Sequence, residues 1–357
     1  MESFDEEELE FESAELDSDE EALIDTFEIL VDKGQDLMRI DKFLVDRIIR
    51  ISRSKIQEAA HAGSLTVNEQ PVKPNYKIKP FDKVRILIPK PFGFQKLKAE
   101  NIPLDIVYQD DDVIVIDKAA GMVVHPGVSN YTGTLMNAIL HHVGEVPSTD
   151  GELYRPGLVH RLDKDTSGLM VLSKTEYALN HLCKQFFDRT IERRYVSLVW
   201  GDVEQDSGTI DANLGRHPRN KLWQAVFEDG LQGKRAVTHY KVLERFGYTT
   251  LVECKLETGR THQIRVHMKH IGHTVFNDIR YEGNRILAGT IYSKYKQFVD
   301  NCFSICPRQA LHARSLGFTH PVTGNWLQFE RPLPNDMAKL VEKWRHYSTH
   351  LQLGEKD

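Results

Sequence analysis

The chain has 357 residues, 40% hydrophobic and 27% charged, which fits a large soluble domain with a smaller companion better than one core. No apolar run approaches the roughly 18 residues of a membrane span, and the acidic start lacks the basic and apolar regions of a secretory signal. Cys183, Cys254, Cys302 and Cys306 are scattered, with no second close pair to complete a zinc site, so a reduced cytoplasm is the expected setting.

The net charge of −6 hides an asymmetry. Residues 1–25 hold 13 of the 52 acidic side chains and no Lys or Arg, so the remainder carries 46 basic against 39 acidic residues, a net of +7. That balance permits a polyanionic partner. Residues 1–36 read as an acidic, mostly disordered extension, with a short helix about Phe27, Ile29 and Leu30. The extension suits either a solubilising tail or an electrostatic mimic that covers the basic surface.

Residues 37–88 change character. Met38–Leu44 begins an amphipathic helix, and Ser52–Gln57 begins a second, capped by Ser52 or Ser54 and ended by Gly63. Leu65–Val72 predicts a tight hairpin about Asn68 and Glu69, and Asp82–Ile88 predicts a strand. Arg39, Lys42, Arg50, Arg53 and Lys55 place cations on the helical pair. The pattern resembles the S4 RNA-binding module, whose usual positions Arg39, Asp41, Ser54 and Gly63 match. The resemblance implies RNA contacts by Arg39, Arg53 and Lys55.

Residues 89–101, with Pro89, Pro91 and Gly93 among lysines, read as a linker. Residues 102–345 then read as one α+β domain with a mixed, mainly antiparallel sheet. Strands are expected at Val113–Ile116, Leu169–Leu172, Tyr195–Trp200 and Thr249–Leu256, and a helix at Glu176–Phe187. A polar helix is expected at 338–350, and residues 346–357 form a polar tail.

The chemistry concentrates in Gly157–Lys174, where the polar loop His160–Ser167 runs directly into an apolar strand. Asp163 and Asp165 are each suited to act as nucleophile, base or acid, and His160, Arg161 and Lys164 add positive charge that favours an ionised carboxylate. Two carboxylates on an irregular loop define no separation, so a glycosidase pair has little support. His262, His267, His270 and His273 lack a third ligand at matching spacing, and no metal is expected.

The loop sequence His160-Arg-Leu-Asp-Lys-Asp-Thr-Ser-Gly168 resembles the signature of the RluA family of pseudouridine synthases. Val115–Gly127, Arg193–Gly201 and Glu257–His267 resemble its other motifs in order. Residues Arg216–Lys221 and Lys234–Tyr240, with the S4-like module, bring it nearest to the RluD type. The resemblance implies that Asp163 is the catalytic residue, that Tyr195 stacks on the target base, and that Arg265 pairs with Asp163. It implies that Arg161 reaches into the RNA, and it sets Arg260 and His262 near RNA phosphates. Lys118 and His125 shape the cleft. Asn277 stands where the family usually has Gly, and residues 284–307 do not resemble the family closely.

The implied reaction isomerises uridine without redox change or net water addition, so no cofactor is expected. The implied substrate is structured RNA, large-subunit ribosomal RNA or a pre-ribosomal particle, acted on by a monomer without membrane contact. Another ribosomal site, a tRNA, or a role as an RNA-binding assembly factor with incidental catalysis are the alternatives.

Overall fold

The computed structural model describes residues 24–48, 51, 53–89, 97–126, 130, 132–144, 157–220, 223–228 and 232–354. The expectations for residues 1–23, for Arg50 and Ser52, and for most of the linker lie outside them. The chain divides into two units, Met1–Gln95 and Lys96–Asp357.

In the first unit, β1 (Ile24–Leu30), β2 (Leu65–Val67), β3 (Gln70–Pro71) and β4 (Lys83–Pro89) form a sheet of order β1-β4-β2-β3. Helices α1 (Ile40–Arg47) and α2 (Arg53–His61) pack on it through Phe43, Leu44, Ile56 and Leu65. The expected hairpin is present, with Asn68 and Glu69 both at positive φ, as a tight two-residue turn demands. The short helix expected about Phe27 is instead β1, paired antiparallel with β4. Phe27, Ile29 and Val31 alternate inward with exposed Thr26, Glu28 and Leu30, a two-residue period that suits a strand and not a helix.

The second unit is built on a ten-stranded sheet. Its strands are β5 (Asp105–Gln109), β6 (Val113–Lys118), β7 (Ser167–Ser173), β8 (Glu192–Trp200), β9 (Ser207–Arg216), β10 (Gln224–Phe227), β11 (Lys234–Arg245), β12 (Thr249–Leu256), β13 (Leu311–Thr319) and β14 (Trp326–Glu330). The order is β10-β9-β11-β12-β8-β13-β7-β6-β5, with β14 on β13. Among the described residues every ladder is antiparallel except β7 on β13.

The apolar runs of β6 and β7 follow from burial on both faces. Ile114, Ile116, Met170 and Leu172 face helices α3 (Leu135–Val143) and α5 (Gln263–His270). Val113, Val115, Leu169 and Val171 face α4 (Glu176–Asp188) on the opposite side. On that same side α6 (Ser293–Ile305) and α7 (Asn335–Gly354) bury Trp200, Phe276, Val299 and Trp344. The terminal helix is therefore longer and less polar than expected. It continues to Gly354 through much of the segment read as a tail, because Met337, Leu340, Val341 and Trp344 give it a buried stripe. No helix is long and apolar enough to cross a membrane among the described residues.

Candidate active site

The loop His160–Thr166 enters β7 at the one parallel pairing, beside the start of β13. Gly168 makes that entry possible. Its φ is +118°, and a Cβ there would collide with the Ala313 carbonyl. Two buried cations hold the loop's backbone. Lys118 donates to the carbonyls of Ala119 (2.8 Å), Met122 (3.0 Å) and Lys164 (3.0 Å). Burial pushes its amine down to about 7, yet three acceptors match the three donors of an ammonium, so the geometry argues for the charged form. Arg308 donates to the Asp165 carbonyl (3.0 Å) and to Ser167 Oγ (3.3 Å), and is itself fixed by Asp336 (2.7 and 3.0 Å).

This support leaves the Asp163 side chain 20% exposed, with Oδ2 accepting from Arg265 Nη1 at 2.8 Å. Arg265 projects from α5 and is pinned on its other edge by Asp278, at 2.6 and 2.7 Å. Its guanidinium also lies 5.0 Å from the Tyr281 ring centre. Burial alone would raise the Asp163 carboxyl, but the positive field of His262, Arg265 and Arg161 outweighs it and holds the group below its ordinary value. His262 is itself pushed down to about 4 by burial, so at neutral pH the guanidinium groups supply that field.

His262 caps α5 with a φ of +57°, so the helix begins at Gln263, two residues after the start expected near Thr261, and His262 lies before it and not within it. Its Nε2 lies 3.9 Å from Asp163 Oδ1, and its Nδ1 lies 2.7 Å from Tyr281 Oη. Tyr195 comes from β8, buried beside Asp163, and burial raises its phenol, which stays protonated. The expected set Asp163, Tyr195, Arg265, Arg161, Arg260 and His262 therefore lines one hollow of about 60 Å³. Cavities of about 510 and 480 Å³ flank it, and both reach Arg161, Asp163 and His262. The carboxylate thus lies at the foot of an open groove, with exposed Arg161 and Arg260 on its walls.

Arg39, Arg53 and Lys55 lie in the other unit. Arg39 and Arg53 are both engaged by the buried Asp41, each at 2.9 Å, while Lys55 is exposed on α2. The sequence alone gives no role to Asp278, Tyr281 or Arg308, although each touches the loop or Arg265. Asp110, Asp112 and His320 cluster closely enough to hold a metal. Their oxygens are already occupied: Asp110 accepts from Tyr108 (2.6 Å), His320 (2.8 Å) and two backbone amides, and Asp112 accepts from Thr175 (3.1 Å). The four histidines near α5 go to separate partners, as with His267 to Thr238 and His273 to the Trp200 carbonyl.

Residues 112–270 match the family model of RNA pseudouridylate synthases, and residues 38–84 match the S4 domain. An uncharacterised RNA pseudouridine synthase of Chlorobaculum parvum is 46% identical over 326 residues, covering 90% of this chain and 98% of that one. The ribosomal large subunit pseudouridine synthase D of Nitrosomonas europaea is 40% identical over 323 residues, covering 90% of this chain and 88% of that one. Among solved structures, human RNA pseudouridylate synthase domain containing 4 has the same fold, with a TM-score of 0.51 at 23% identity over 68% of this chain and 93% of that one. The chain belongs to the RNA pseudouridine synthase family. It is an RNA pseudouridine synthase with an S4 domain in its first unit.

Proposed function

We propose that this enzyme converts specific uridines of large-subunit ribosomal RNA to pseudouridine, with Asp163 as the catalytic carboxylate and the target nucleotide everted into the groove. The observation that carries the reading is the partly exposed Asp163 carboxylate, ionised and oriented by Arg265, at the foot of a groove walled by cations. The reaction breaks the N1–C1′ bond, turns the uracil and joins C5 to C1′. The proton on C5 leaves and N1 regains one, so atoms balance without a redox partner. Asp163 serves either as nucleophile at C1′ or as base at C2′. Eversion costs a few kcal/mol, which stacking on Tyr195 and insertion of Arg161 offset.

The ribosomal target is supported by the name of the Nitrosomonas europaea relative and by the S4 domain. Asp163→Asn is expected to keep the circular dichroism of the wild type and to lose tritium release from 5-tritiated uridine RNA by about three orders of magnitude or more. Turnover near wild type would reject the assignment. Mapping pseudouridines in total RNA with and without the gene tests the target. Losses confined to tRNA would overturn the ribosomal assignment and leave the chemistry standing.

A further inference from the structure

Among the described residues Arg193 is a cation without a counterion. It sits on β8 two residues before Tyr195, only 8% exposed, and its Nε is sealed from solvent with no hydrogen-bond partner. Among the described residues no carboxylate or carbonyl oxygen meets its guanidinium. Its one close contact of note is the Phe186 ring, 5.2 Å from the guanidinium carbon. An arginine so little exposed is usually paired with an anion, and hydrogen-bonding capacity left unused on it suits an anionic ligand.

The surroundings make room for such a ligand. Arg193 lines the cavity of about 510 Å³ that opens directly onto Asp163 and Tyr195. Gly259 lines it too, and a Cβ at that position would stand 2.9 Å from Arg193 Nη1, so the missing side chain leaves the guanidinium its space. His160 stacks on the same Phe186 ring at 4.8 Å. Its Nε2 accepts from the Val171 amide at 3.1 Å, so the proton lies on Nδ1, a second buried donor that finds no acceptor among the described residues. The one carboxylate lining this cavity besides Asp163 is Glu257, which is occupied by His239 (2.7 Å) and Arg189 (4.0 Å).

We infer that Arg193 and the cavity wall around it form a phosphate subsite, which takes a backbone phosphodiester of the RNA next to the everted uridine. A guanidinium fits two phosphate oxygens at once, and Phe186 against it limits the conformations it must give up on binding. The subsite adjoins Tyr195 and Asp163, so a phosphate held there would fix the register of the strand as the target nucleotide enters. The inference rests on the reading that the groove takes RNA.

The test uses the full-length enzyme and a short uridine stem-loop that the wild type converts. Arg193→Gln is expected to weaken binding about ten-fold or more. It should also lower the slope of log Kd against log salt by about 0.7 to 0.9, the loss of one phosphate contact. Arg193→Lys, which keeps the charge, should retain the slope. Replacing the flanking phosphates singly by methylphosphonates should identify one whose removal hurts the wild type and adds nothing to Arg193→Gln. If Arg193→Gln keeps the wild-type salt slope, or if no single phosphate couples to residue 193, the subsite is wrong and the arginine serves packing on Phe186 alone. Failure of the wild type to convert any uridine stem-loop or ribosomal transcript would instead overturn the functional reading.

Discussion

Among the described residues Asp163 has a single strong partner, Arg265, and that partner is secured by Asp278 rather than by solvent. The Arg265 and Asp278 side chains are 6% and 0% exposed, so removing one leaves a buried charge underpaired. Asp278→Ala is expected to destabilise the protein by about 3–5 kcal/mol in urea denaturation and to slow turnover as Arg265 swings away. A variant as stable as the wild type would show that Arg265 holds its position without it. Because Asp163 titrates below the ordinary carboxyl range, it stays ionised as pH falls from neutrality, and His262, pushed down to about 4, stays neutral. A single-turnover rate should show no inflection from either group between about pH 5 and 8. An inflection there that vanishes in His262→Gln would contradict this. Asp163 and Arg265 were legible because each lies in a long motif that resembles a family pattern. Asp278 was not, since a carboxylate in an irregular turn has no periodicity that aims it at an arginine 13 residues earlier. Arg193 lies in one of those motifs, but that no counterion meets it among the described residues shows only in three dimensions.

Strands β6, β7, β8 and β12 could be located from composition because a run of branched residues buried on both faces has few other homes. The hairpin at Asn68 and Glu69 was equally readable, since that turn needs two residues able to take positive φ. β1 was missed because acidic residues surround its short alternating pattern, and its strand character depends on β4, nearly 60 residues later. The parallel contact of β7 with β13 was also invisible in advance, although Gly168 marks it. Gly168→Ala combines a disfavoured φ with a backbone collision. It is expected to cost at least about 3 kcal/mol in urea denaturation and to lower activity through the loop that precedes it. Wild-type stability would mean that β13 can retreat without penalty.

Each of the two units has its own core, one about Phe43, Ile56 and Leu65 and the other about the long sheet. Heating should therefore resolve two calorimetric transitions. Asp41 is the buried centre of the first unit's charges, with Arg39, Arg53 and Gln57 all donating to it. Asp41→Ala removes hydrogen bonds to two half-exposed arginines, and should destabilise the first unit's transition by about 1–3 kcal/mol while leaving the second unit's unmoved. One shared transition that shifts as a whole would contradict this.

Residue 277 also bears on the Asp163 carboxylate. Asn277 adopts a φ of +56°, which asparagine tolerates, and its amide clasps the carbonyls of Phe303 (3.2 Å) and Cys306 (2.7 Å) at the end of α6. The next residue is Asp278. The end of α6 is thereby bolted to the neighbour of the carboxylate that steadies Arg265, so a replacement of residues 284–307 would leave that carboxylate in place only if the carbonyls at 303 and 306 still met position 277.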